Sequence, residues 1–130
     1  MGHALGSRMA QPITSYRDLV VWQKGLDLAE FVFRMTASFP ESERFGLSAQ
    51  MRRAAVSIPS NIAEGHRHRR PSYIHHVVIA LGSHAELETQ ALLAERLGFV
   101  KAADMKRFHE HATPVGELAH GLLRSLEARR

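Results

Sequence analysis

Ser57-Ile58-Pro59-Ser60-Asn61-Ile62-Ala63-Glu64-Gly65 is the stretch on which the fold turns. Leu47, Met51, Ala54, Ala55, Ile58 and Ile62 recur at three- and four-residue spacing, the apolar stripe of one continuous helix. Pro59 falls inside that stripe, where a proline removes a backbone hydrogen bond and clashes with the preceding turn, at roughly 3 kcal/mol or more. A helix that keeps it must be compensated by tertiary packing. Ser57, Asn61 and Glu64 share an adjacent face, which predicts a polar seam beside a kink where this helix meets another surface. Asn61 and Glu64 are read as structural members of that seam.

Working outward, the same periodicity predicts three more helices. The first spans about Asp18 to Ser38, with Val21, Trp22, Leu26, Leu28, Ala29, Val32, Phe33 and Met35 forming a broad apolar face. Ser15 or Asp18 is placed to cap it, and Pro40 stops it. A polar connection, Pro40 to Gly46, leads into the helix of the opening stretch, for which Gly65 is the expected terminator. A short basic loop to Pro71 follows, with Ser72 placed to cap a third helix of about Ser72 to Leu97. Tyr73, Ile74, Val77, Ala80, Leu81, Ala85, Leu87, Ala91 and Ala94 make two overlapping stripes there, so burial on more than one side is expected. Gly82-Ser83 in its middle predicts a close helix approach, since a missing side chain lets a neighbouring backbone come nearer. Gly98 ends it. The fourth helix, about Lys101 to Glu127, turns Met105, Phe108, Ala112, Val115, Leu118, Ala119, Leu122 and Leu126 inward, and Pro114 with Gly116 predicts a second kink. Four amphipathic helices with short connections bury most apolar surface as an all-α, antiparallel up-down four-helix bundle. It is expected to occupy residues 16–130, with 1–15 a disordered or tag-derived segment.

These residues also carry a family resemblance. Leu47-Ser48-Ala49-Gln50-Met51-Arg52-Arg53-Ala54-Ala55-Val56 runs into the Ser57–Gly65 stretch; Asp18-Leu19-Val20-Val21-Trp22-Gln23-Lys24 precedes it, and Ile79-Ala80-Leu81-Gly82-Ser83 and Glu86-Leu87-Glu88 follow. Over roughly residues 16 to 100 this resembles the four-helix-bundle proteins encoded in intervening sequences of large-subunit ribosomal RNA genes, a family that includes the accessory variability proteins of diversity-generating retroelements. The resemblance implies an up-down four-helix bundle, usually a ring-shaped pentamer, with a nucleic-acid-binding role and no known catalytic activity.

Composition narrows the function classes. The chain of 130 residues is one domain. It has no cysteine, which removes disulfides and thiolate metal ligands, and a reducing cytoplasm is the default compartment. No apolar run approaches the roughly 20 residues of a membrane span. The formal charge of +4 is localised: between Met51 and Ile79 the bases Arg52, Arg53, Arg67, Arg69 and Arg70 face the single acid Glu64, and the remaining 12 bases and 12 acids cancel. Arginines in a short loop suit phosphate contacts that release counterions without reading bases. The competing reading is a solvated basic turn. Arg52 and Arg53, on the helix itself, are expected to be half committed to Glu64, Glu86 or Glu88 of the same or a neighbouring subunit.

Catalytic signatures are missing. Gly46-Leu47-Ser48 lacks the second glycine of a nucleophile elbow, and no glycine-rich loop with a following lysine is found. The nine histidines raise a metal hypothesis, but a di-iron bundle needs two Glu-x-x-His pairs and only Glu117 with His120 fits. His66-x-His68 and His109-x-His111 diverge if helical, so no metal and no cofactor are expected. The chain therefore reads as a non-enzymatic homo-oligomer, a pentamer by resemblance. Arg52, Arg53, Arg67, Arg69 and Arg70 are its candidate contacts to RNA or DNA, and Ser57, Asn61, Glu64, Gly82, Ser83 and Glu86 its candidate oligomer interface or structural seam. The alternative is a module docking a partner protein such as a reverse transcriptase, without nucleic acid.

Overall fold

A computed structural model describes residues 12–129. It contains four long helices, α1 (Val20–Thr36), α2 (Leu47–His66), α3 (Arg70–Arg96) and α4 (Ala102–Ala128), with single 3-10 turns at Tyr16–Asp18 and Glu41–Glu43. Each helix packs on its sequence neighbours, and α4 closes against α1. The contacts establish the antiparallel order. Gly25 near the start of α1 faces Pro59 late in α2, whereas Phe33 and Thr36 at the end of α1 meet Arg52 early in α2. Ser57 of α2 meets Ser83 of α3, and Asn61 meets His76, again in reverse order. His84 of α3 reaches Ala112 of α4, the two lying at similar distances from the turn that joins their helices.

Among the described residues the core holds Leu28, Val32, Met51, Ala55, Ile58, Ile62, Val77, Leu87, Ala91, Phe108, Ala112 and Val115, each essentially without solvent exposure. Pro59 is buried within an unbroken α2. Its ring lies where α1 has a glycine: a Cβ on Gly25 would be 3.4 Å from the proline Cβ. The tertiary compensation demanded by the proline is this fit of ring against a gap in α1.

Several local expectations are corrected. Ser15 caps the 3-10 turn rather than α1, accepting from the Arg17 amide, while the Asp18 carboxylate accepts from both Thr14 and Ser15. These bonds, led by the Thr14 amide, hold the Asp18 carboxyl below the usual carboxylate range. Ser72 does not cap α3, which starts at Arg70 with Pro71 in its first turn, because proline's fixed φ is already helical there. Gly98 does end α3: its φ of 82° and the bonds Gly98 N–H to Glu95 O and Phe99 N–H to Ala94 O form a Schellman motif. Leu26, Phe33 and Leu118, expected inward, are exposed, as is Ala85. Their positions on the edge of a wide stripe turn outward once each helix has only two neighbours. The segment expected to be disordered or tag-derived lies, for residues 1–11, outside the described residues.

Candidate functional site

The polar groups of α2 and α3 assemble into one strip along the junction of the two helices. At one end a groove of about 370 Å³ is lined by Gln50, Arg53, Ser57, Ser83, Glu86 and Gln90. Ser57 and Ser83 share a hydrogen bond of 2.8 Å across it. One turn on, Asn61 donates from Nδ2 to the Ser57 carbonyl at 2.9 Å and to Ser57 Oγ at 3.0 Å. Its Oδ1 lies 3.0 Å from His76 Nδ1, and His76 Nε2 is 3.8 Å from Glu64 Oε2. The seam of Ser57, Asn61 and Glu64 thus faces α3 of the same chain.

The strip is narrow because the helices come close at its far end. A Cβ on Gly65 would lie 2.8 Å from the His76 Cβ and 3.0 Å from Tyr73 Cδ1. Gly65 is therefore inside α2, which continues to His66, and its missing side chain serves packing rather than termination. Burial at this contact pushes the Tyr73 hydroxyl above its ordinary value, so it stays protonated. Gly82 is the reverse case. An added Cβ there meets nothing within 4 Å, so the close approach expected at Gly82-Ser83 within the bundle is made at Ser83 alone.

Beyond the strip the chain enters the basic connection. Arg67, Arg69 and Arg70 are exposed, and among the described residues none has an ion pair. Arg67 lies over the Tyr16 ring at 5.9 Å. Arg52 behaves differently: Nε donates to Thr36 Oγ1 at 2.8 Å, Nη2 donates to the Phe33 carbonyl at 3.2 Å, and the guanidinium lies 4.8 Å from the Phe33 ring centre. It covers the carbonyl end of α1, where a cation is favoured by orphan acceptors and the helix dipole. Among the described residues, then, Arg52 has no acidic partner, and Glu64 and Glu88 have histidines instead: Glu64 beside His76, and Glu88 3.6 Å from His84. Arg53 is exposed at the groove, on the same strip as Glu86.

Sequence reasoning overlooked His84. Its Nε2 donates to the Ala112 carbonyl at 2.7 Å, and its ring occupies the space a Cβ on Gly116 would take, 2.8 Å from Cε1. The signal in the sequence is Gly116 in mid-helix, whose missing side chain leaves room for a ring from a neighbouring helix instead of marking only a kink. The Glu117 and His120 pair is exposed and points away from the core.

α3 also presents a stripe to solvent. Val78, Leu92 and Leu93 are each about half exposed, and Gly82 and Ala85 lie between them, opposite the buried Ala80, Leu87, Ala91 and Ala94. Val78, Leu92 and Leu93 belong to neither expected stripe: of the residues in those stripes all but the exposed Ala85 are in the core or pack against it within the chain.

Comparisons with known proteins agree with this architecture. The family model described as 23S rRNA-intervening sequence protein matches residues 17–121. A crystal structure of a protein of unknown function from the S23 ribosomal protein family of Bacteroides thetaiotaomicron superposes with a TM-score of 0.72 at 24% identity, covering 80% of this chain and 98% of that one. No curated protein matches the chain.

Proposed function

The chain belongs to the 23S rRNA-intervening sequence protein family, and from that premise we propose that it is a non-enzymatic, oligomeric scaffold that binds the backbone of RNA or DNA. The observation that carries this reading is the set of exposed Arg67, Arg69 and Arg70, unpaired among the described residues, at the end of the α2–α3 strip. Surface arginines without carboxylate partners keep their five donors for phosphate oxygens. Arginine contacts to phosphate carry no direct sequence information, so affinity should depend on charge and not on sequence. One such patch is weak; repeated around a ring of identical subunits it becomes a strong field with a high effective concentration.

Anisotropy titrations with duplex DNA, single-stranded DNA and RNA of scrambled sequence over a salt series test this. The expected result is saturable binding whose log K falls linearly with log salt, with little dependence on sequence. Salt-independent binding, or none at low salt, would discard the reading and favour the docking of a partner protein at the Arg53 and Glu86 groove.

The oligomer, proposed as a homopentamer, is supported by the uncovered stripe on α3. A row of half-exposed Val78, Leu92 and Leu93 opposite the core is surface that an interface would cover. Leu92→Glu should leave the subunit folded, since the side chain is 48% exposed, and reduce the mass measured by sedimentation to that of a monomer. Burying a carboxylate unpaired costs several kcal/mol per subunit. A monomeric wild-type protein at micromolar concentration, or a Leu92→Glu protein of unchanged mass, would contradict it.

A further inference from the structure

We infer that Glu64, His68 and His76 form a binding site for a divalent transition-metal ion of the zinc class. The three residues offer one ligand atom each, all within 4.8 Å of one another. α2 ends at His66, so His68 leaves the helix, and the i, i+2 divergence expected of helical histidines does not apply to it. Its ring stacks on that of His76, with centroids 5.6 Å apart and planes within 8°.

The hydrogen bonds determine which nitrogen His76 offers. The Ser57 carbonyl can only accept, so the atom 2.9 Å from it is the Asn61 nitrogen. Asn61 Oδ1 must then be the atom facing His76 Nδ1, which accordingly carries a proton and donates it. Nε2 is left with a lone pair directed towards Glu64. This is the outer-shell arrangement of metal-bound histidines, in which the second ring nitrogen donates to an oxygen that fixes tautomer and orientation.

Nε2 stands 3.8 Å from Glu64 Oε2, so the two donors already face each other across a gap. Ligand bonds of about 2.0–2.1 Å in a tetrahedral shell put neighbouring ligand atoms about 3.3 Å apart, and the atoms, now within 4.8 Å of one another, would close to it by rotation of the exposed Glu64 and His68 side chains. Two imidazoles and a carboxylate are the donors that borderline ions such as Zn²⁺ take, whereas Mg²⁺ and Ca²⁺ prefer all-oxygen shells. The carbonyl end of α2 lies beside the cluster and favours positive charge. Bound metal would tie His68, in the connection between Arg67 and Arg69, to both helices and so hold the basic loop in one conformation.

The inference does not depend on nucleic-acid binding, because Zn²⁺ alone is the probe. The affinity of the full chain for Zn²⁺ is measured by competition with a chromophoric chelator for wild type, His68→Ala, Glu64→Gln and a His109→Ala control. Glu64 and His68 are exposed, so both variants fold. Each should bind Zn²⁺ more weakly by at least the 10–100-fold that a lost outer-shell partner costs, with the control unchanged. Wild-type affinity in either variant, or wild-type binding no tighter than millimolar, overturns the site.

Discussion

Replacing Arg67, Arg69 and Arg70 together with glutamine should weaken binding to duplex DNA by about a thousandfold at about 50 mM salt and flatten the slope of log K against log salt by about three. Each arginine that neutralises a phosphate contributes roughly 0.9 to that slope on a duplex. Three lost contacts, extrapolated from molar salt, produce the loss in affinity. All three side chains are exposed and make no ion pair among the described residues, so the melting temperature and the oligomeric mass should hold. Arg52→Gln supplies the contrast. Its donors are engaged by Thr36 and the Phe33 carbonyl, and its loss should appear in stability and not in the salt slope. Unchanged polyanion affinity in the triple variant would remove this loop from the interface and move weight to a docking module.

Gly65→Val should destabilise the subunit by about 1–3 kcal/mol, a fall of roughly 3–15 °C in Tm for a domain of this size. Helix propensity alone argues the other way, because valine is a better helix former than glycine. The steric term wins because the new Cβ would be 2.8 Å from the His76 Cβ and 3.4 Å from the Tyr73 carbonyl oxygen. Those atoms are near or on the backbone of α3 and cannot swing aside. Relief requires the two helices to part, which would also stretch the bonds joining Asn61 to His76 and Ser57 to Ser83. Thermal or denaturant unfolding decides between the two signs. A variant as stable as wild type, or more so, would show that the α2–α3 separation yields to a side chain at Gly65 at no net cost.

The apolar period of each segment, readable residue by residue, was enough to determine four helices, their approximate ends and their antiparallel closure. Local rules suffice there because a helix buries the stripe its own sequence writes, and short connections leave few ways to pair the stripes. The concentration of charge around Arg52 to Arg70 was legible in the same way, as was the seam of Ser57, Asn61 and Glu64. What the period could not say is which atom of one helix meets which atom of another. Gly65 and Gly82 look alike in sequence, yet one sits against the His76 Cβ and the other against nothing. Arg52 and Arg53 are adjacent, yet one closes the end of α1 while the other faces a groove. Only the packing of α2 on α3 brings Glu64 and His76 within 3.8 Å, and only the end of α2 at His66 frees His68 to join them. Close approach depends on helix separation and register, which are settled when whole faces interlock, and no spacing along a single helix encodes them.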